Sequence, residues 1–130
     1  MGKTRILLID DEVNFCKAVK LNLERGGDYE VVTAASGMEG LRLVDETAFD
    51  LVITDFRMPG MDGKAVLSAL KAKRPDTSVV LFSIYHDDRQ TITPEIERQA
   101  DGLISKPIDH EQLERAIRNA LAKKRDRVSD

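Results

Sequence analysis

The sequence predicts an α/β protein with a doubly wound parallel sheet of five strands and five helices, on three observations. Short apolar runs alternate five times with segments of helical period along the 130 residues. Three of those runs are continuously apolar, as strands buried on both faces of a parallel sheet should be. The residues that stand out chemically follow directly after the runs, at what would be one edge of such a sheet.

The first strand is Ile6 to Ile9. A stripe of Val13, Cys16, Val19 and Leu23 then makes the first helix, which Gly26-Gly27 stops. Tyr29 to Thr33 is the second strand, more polar and so placed nearer an edge. Ser36-Gly37-Met38-Glu39 fits a capping box and opens a helix with Leu41, Val44 and Ala48 inward. Leu51 to Thr54 is the third strand, and Lys64 to Arg74 is a helix carrying Val66, Leu67 and Leu70, ended by Pro75. Val79 to Phe82 is the fourth strand. Thr93-Pro94 sets a cap residue before a first-turn proline and starts a short fourth helix near Glu95-Ile96. Gly102 to Ile104 is the fifth strand. Asp109 caps a last helix that buries Leu113, Ala116, Ile117, Ala120 and Leu121.

Composition sets the class. With 42% apolar and 33% charged residues the chain can form one core, and its length suits one domain rather than two. A net charge of -3 supplies no electrostatic reason for nucleic-acid binding. Every apolar run is far below membrane-spanning length, and Ile6 to Ile9 is too short for a signal-peptide core. The protein is accordingly expected to be cytoplasmic. Cys16 is alone, so it forms no internal disulfide, and it is read as a small buried apolar residue.

After the first strand come Asp10, Asp11 and Glu12, after the third Asp55, after the fourth Ser83, and after the fifth Lys106. Carboxylates held together repel and need a cation or raised pKa values. Hard oxygen ligands with few histidines nearby favour Mg²⁺, which suits phosphate chemistry. An aspartate can accept a phosphoryl group as a nucleophile, and a lysine offers a compact charge to the acceptor and then to the phosphoryl group.

The residues resemble the receiver domains of two-component response regulators. The matching motifs are Asp10-Asp11-Glu12 after Ile6-Leu7-Leu8-Ile9, Asp55-Phe56-Arg57-Met58-Pro59-Gly60-Met61-Asp62-Gly63, Ser83, and Lys106-Pro107, in family order and spacing from Arg5 to Leu121. The resemblance implies a flavodoxin-like receiver fold with strand order 2-1-3-4-5, a receiver domain over residues 1–122, and a C-terminal tail or start of a linker over residues 123–130. It implies that Asp55 takes a phosphoryl group from a sensor histidine kinase or a histidine phosphotransfer protein. It implies Mg²⁺ (or Mn²⁺) held directly by Asp11, Asp55 and the Arg57 backbone carbonyl, with Asp10 acting through water. Lys106 and Ser83 would contact the phosphoryl group, and Lys106-Pro107 would be a cis peptide. Such a domain catalyses its own phosphorylation and dephosphorylation and is not otherwise an enzyme. It signals to an output domain or partner through the face of the fourth helix, fifth strand and fifth helix, and a phosphorylation-dependent homodimer is a family expectation.

Three positions depart from the family pattern. Leu103 stands where an aromatic switch residue is frequent, three positions before the lysine. Ile84 replaces a small residue after the switch hydroxyl, and either narrows access to the phosphoryl group or packs outward. Tyr85 and the Arg57 side chain occupy positions that tune dephosphorylation, and together would restrict the attacking water. Among other candidates, His86-Asp87-Asp88 is read as a solvated loop, His110 as exposed in the first turn of the last helix, and Lys123-Lys124-Arg125 as ordinary complements of a helix C-terminus.

An aspartyl-phosphate hydrolase would need a second aspartate two residues after the nucleophile, where this chain has Arg57. Neither GxGxxG nor GxxxxGK[ST] occurs, which disfavours a nucleotide-binding domain. The alternative reading is a degenerate receiver acting as a phosphorylation-independent interaction module. Nine residues follow Leu121, so no output domain is expected within these 130 residues.

Overall fold

The computed structural model describes residues 2–83 and 93–129, with side chains described through residue 123. The elements run β1 (Thr4–Ile9), α1 (Val13–Glu24), β2 (Tyr29–Ala34), α2 (Gly37–Glu46), β3 (Leu51–Asp55), α3 (Gly63–Lys73), β4 (Ser78–Ser83), α4 (Pro94–Gln99), β5 (Gly102–Ser105) and α5 (His110–Ser129). All strand pairs are parallel, in the order β2-β1-β3-β4-β5. The polar second strand does lie at an edge.

Alternation along each strand splits the core in two. Leu7, Ile9, Val52, Val79 and Leu81 face α2, α3 and α4, through Val44, Val66, Leu67, Leu70 and Ile96. Ile6, Leu8, Leu51, Ile53, Val80 and Phe82 face α1 and α5, through Cys16, Val19, Leu23, Leu113, Ile117 and Ala120. Both faces being covered is why the central strands read as unbroken apolar runs.

Caps follow the residues expected to make them. The Ser36 hydroxyl accepts from the Glu39 N–H at 3.1 Å, and the Glu39 carboxylate accepts from the Ala35 N–H. The Thr93 hydroxyl accepts from the Ile96 N–H ahead of Pro94, and Asp62, a cap not expected from the sequence, accepts from the Ala65 N–H. The Asp109 carboxylate accepts from the Glu111 N–H at 2.9 Å.

Three expectations are corrected. Val13 is 53% exposed, because it is the first residue of α1 and the strand below it has already ended at Ile9. Ala48 lies beyond α2 and is exposed; the helix closes with the Thr47 N–H on the Leu43 carbonyl, and Phe49 takes the buried place. Lys123 does not stand at a helix end, since α5 runs on to Ser129; its ammonium donates to the Asp101 carbonyl at 3.1 Å instead. His110 is exposed as expected, 3.5 Å from Glu114. Ile84, Tyr85 and His86-Asp87-Asp88 fall outside the described residues.

Asp101, just before β5, is a structural tie that the sequence did not announce. Its carboxylate is 6% exposed and accepts from the Val79 N–H at 2.9 Å and from Lys71 of α3 at 3.1 Å. A buried donor left without its acceptor costs more than a surface contact returns. Asp101→Ala is expected to destabilise the fold by about 2 kcal/mol, read in urea as a lower midpoint with an unchanged slope.

Candidate functional site

The register of the sheet assembles the site. Ile9 of β1 pairs with Thr54 of β3, so Asp10 and Asp55 come next on adjacent strands. Asp55 pairs with Phe82 of β4, so Ser83 lies one residue further along the next strand. Ser83 pairs with Ser105 of β5, and its carbonyl accepts from the Lys106 N–H at 2.7 Å. The carboxyl edge of the sheet thus carries Asp10, Asp11, Asp55, Ser83 and Lys106 together.

Carboxylate oxygens of Asp10, Asp11 and Asp55 lie within 4.8 Å of one another. Asp10 is fully buried; its Oδ1 accepts from the Glu12 N–H at 3.0 Å and its Oδ2 from Lys106 Nζ at 3.0 Å. Asp55 is 7% exposed; its Oδ2 accepts from the same ammonium at 3.2 Å and its Oδ1 from the Arg57 N–H at 3.4 Å. Asp11 is exposed and gives the cluster an open side.

The electrostatics follow from that packing. Burial, and then the charge of Asp10, raise the Asp55 carboxyl above the ordinary aspartate range, against the lowering effect of Lys106. Burial alone would lower the Lys106 ammonium, but its hydrogen bonds to Asp10 and Asp55 and their charges outweigh it, so its pKa is raised. Burial and Asp10 push the Cys16 thiol up to about 11, which leaves it protonated and inert at neutral pH. Three hard oxygen donors, one of them exposed, fit a divalent cation that retains waters.

The loop after Asp55 is shaped by its glycines. Gly60 has φ of 83°, a conformation that favours glycine. Gly63 lies so near the backbone that a Cβ there would sit 2.6 Å from Phe56 Cα. This loop borders an open cleft of about 420 Å³ lined by Phe56, Arg57, Met58, Pro59 and Asp62. The Lys106–Pro107 peptide is cis. Leu103 is 40% exposed on β5, beside Gln112, Arg115 and Asn119 of α5.

One residue at the site was missed from sequence: Phe15, whose ring lies beneath Lys106 Nζ at 4.7 Å. The signal in the sequence was its place in the first turn of α1, directly after Asp10-Asp11-Glu12.

A parallel sheet in this strand order, with acids, a hydroxyl and a lysine gathered at its carboxyl edge, defines a receiver-type signalling domain. The family model described as response regulator receiver domain matches residues 6–118, and the chain belongs to that family. The transcriptional regulatory protein ZraR of Salmonella typhimurium is 35% identical over 125 residues, which is 96% of this chain and 28% of that protein. The nitrate/nitrite response regulator protein NarL of Escherichia coli is 35% identical over 118 residues, 90% of this chain and 54% of that protein. The chain therefore spans between about a quarter and about half the length of these relatives. Among solved structures, a response regulator receiver domain protein from Clostridium thermocellum superposes with a TM-score of 0.86 at 35% identity, covering 94% of this chain and 97% of that one. The response regulator TrrA from Thermotoga maritima, in complex with Mg²⁺-BeF, has a TM-score of 0.80 at 31% identity, covering 90% and 98%. Among the described residues, no helix is long and apolar enough to cross a membrane.

Proposed function

We propose that this receiver domain is a phosphorylation switch in a two-component system, with Asp55 as the phosphoacceptor. The observation that carries the reading is the shared lysine: Lys106 Nζ lies 3.0 Å from Asp10 and 3.2 Å from Asp55 at the edge where ligands of doubly wound sheets bind. An Asp55 oxygen attacks the phosphorus of a phosphohistidine on a kinase or phosphotransfer protein; the P–N bond breaks and the imidazole takes up a proton. Lys106 holds the attacking carboxylate and then answers the charge of the phosphoryl oxygens. Ser83, at the end of the adjacent strand, donates to one of those oxygens.

Asp10, Asp11, Asp55 and the Arg57 carbonyl would hold Mg²⁺, or Mn²⁺ in its place. When bound, the cation neutralises charge on the phosphoryl oxygens during transfer. The Mg²⁺-BeF complex of the similar TrrA supports this choice. Tyr85 and Arg57 would limit access of the attacking water, and Ile84 would either narrow access to the phosphoryl group or pack outward. The modified domain acts on an output domain or partner through the face of α4, β5 and α5, where Leu103 is exposed in place of an aromatic switch. A cytoplasmic location, a receiver boundary near residue 122 and a phosphorylation-dependent homodimer belong to the same reading.

The test is incubation with Mg²⁺ and acetyl phosphate, followed by intact mass. One phosphoryl adduct is expected, absent without Mg²⁺ and absent in Asp55→Ala. If neither acetyl phosphate nor a phosphohistidine donor yields an adduct, the domain is a phosphorylation-independent interaction module instead.

A further inference from the structure

We propose that Phe15 is a positioning residue for Lys106: its ring face holds the ammonium between Asp10 and Asp55. An ammonium has three N–H groups. Two are taken by the Asp10 and Asp55 carboxylates, at 3.0 and 3.2 Å. On another side lies the Phe15 ring, with Nζ over it at 4.7 Å from the centroid, within the range of a cation–π contact. Lys106 is largely shielded, with 15% of its side chain exposed, so water competes weakly for that position.

The ring is itself held in place. It meets Phe82 edge to face, with centroids 5.8 Å apart and planes at 77°. Phe82 is fully buried in β4 and pairs with Asp55, and its carbonyl accepts from the Phe56 N–H at 2.8 Å. The surface that supports the lysine is therefore anchored to the strand pair that presents the acceptor. A long flexible amine left to itself would lose rotamer freedom on settling between two carboxylates. A ring fixed by α1 and β4 removes alternatives in advance, which is how preorganisation serves a reacting centre.

Plain core packing predicts something different. A side chain that only filled space would be replaced by leucine with an effect on stability and none specific to the lysine. The inference rests on the phosphoacceptor reading of Asp55 and Lys106, and its test separates the two.

The rate of adduct formation from acetyl phosphate with Mg²⁺ would be followed by intact mass for wild type, Phe15→Tyr and Phe15→Leu. Each substitution would also be made in a Lys106→Met background, with urea unfolding of every variant. Tyrosine keeps the ring face and is expected to stay within about twofold of wild type, whereas leucine slows the reaction about 5-fold. In the Lys106→Met background leucine is expected to change the rate no further. An unchanged rate in Phe15→Leu, or an equal slowing with and without Lys106, would overturn the proposal. If wild type takes no phosphoryl group at all, the phosphoacceptor reading fails, and ¹³C relaxation of the Lys106 ε-carbon decides the positional claim. Restricted motion in wild type and Phe15→Tyr, released in Phe15→Leu, is the expected pattern; equal motion in all three sinks it.

Discussion

Lys106→Met is expected to slow phosphorylation from acetyl phosphate about 100-fold, because one fixed cation facing the reacting oxygens is removed from a water-poor site. The same change acts on the fold. Lys106 is the cation bonded to both Asp10 and Asp55, and Asp10 is completely buried. Methionine matches the length of the stem but leaves two carboxylates facing each other with Asp11 nearby. Breaking a buried ion pair from one side costs more than the pair was worth, so stability at neutral pH should fall by about 3 kcal/mol in chelator. Adding Mg²⁺ should recover much of that loss, since a cation then stands among the same oxygens. Chemical denaturation with and without Mg²⁺ measures both parts. A variant as stable as wild type in chelator would show that the lysine contributes nothing net to the packing of the acids. Arginine is not expected to rescue the rate, because its planar fork cannot reproduce a compact point charge.

Asp55→Asn is expected to raise the unfolding temperature by a few degrees in chelator at neutral pH while abolishing the adduct. The sign follows from the raised pKa of Asp55, caused first by burial and then by Asp10. A carboxyl whose folded-state pKa lies above its unfolded value favours the fold below the unfolded pKa, and that contribution is lost as pH rises through the folded one. At neutral pH the wild type therefore carries a penalty for holding this carboxylate ionised, and the amide does not. The advantage of Asp55→Asn should shrink as pH falls toward the ordinary aspartate value of 3.8. Mg²⁺ should reverse the order. A ligand at 100 times its dissociation constant stabilises by about 2.7 kcal/mol, and the amide gives up most of that gain by losing a charged ligand. Scanning calorimetry at two pH values, with and without Mg²⁺, checks each step. A lower unfolding temperature for Asp55→Asn in chelator at neutral pH would mean that Lys106 outweighs burial at this position.

Both effects depend on an arrangement whose parts were legible and whose proximity was inferred. The continuous apolar runs around Leu7, Ile53 and Leu81 read as strands because both sheet faces are covered, and the structure shows two cores either side of them. Ser36, Thr93 and Asp109 marked helix starts because a short polar side chain there satisfies a free N–H. Boundaries were less legible. Val13 has the right spacing for the buried face of α1 but lies past the end of the sheet, and periodicity carries no information about where the neighbouring strand stops. Ala48 continues the period of α2 after the chain has left the helix. Lys123 was read as a helix end, whereas the helix continues and the ammonium bonds to Asp101.

The sequence by itself determined the class: alternating strands and helices, a parallel sheet, and acids, a hydroxyl and a lysine placed directly after the strands. Those are local properties, set by periodicity, capping and the chemistry of single residues. Only the tertiary structure decided which groups touch. It placed one ammonium on both Asp10 and Asp55, brought the Phe15 ring under that ammonium, and buried Asp101 against Val79 and Lys71. Each of these contacts joins residues far apart in the chain, and Lys106 and Asp10 are 96 positions apart. No local preference encodes them, because strand register and helix packing set distances between side chains only once the whole sheet has closed.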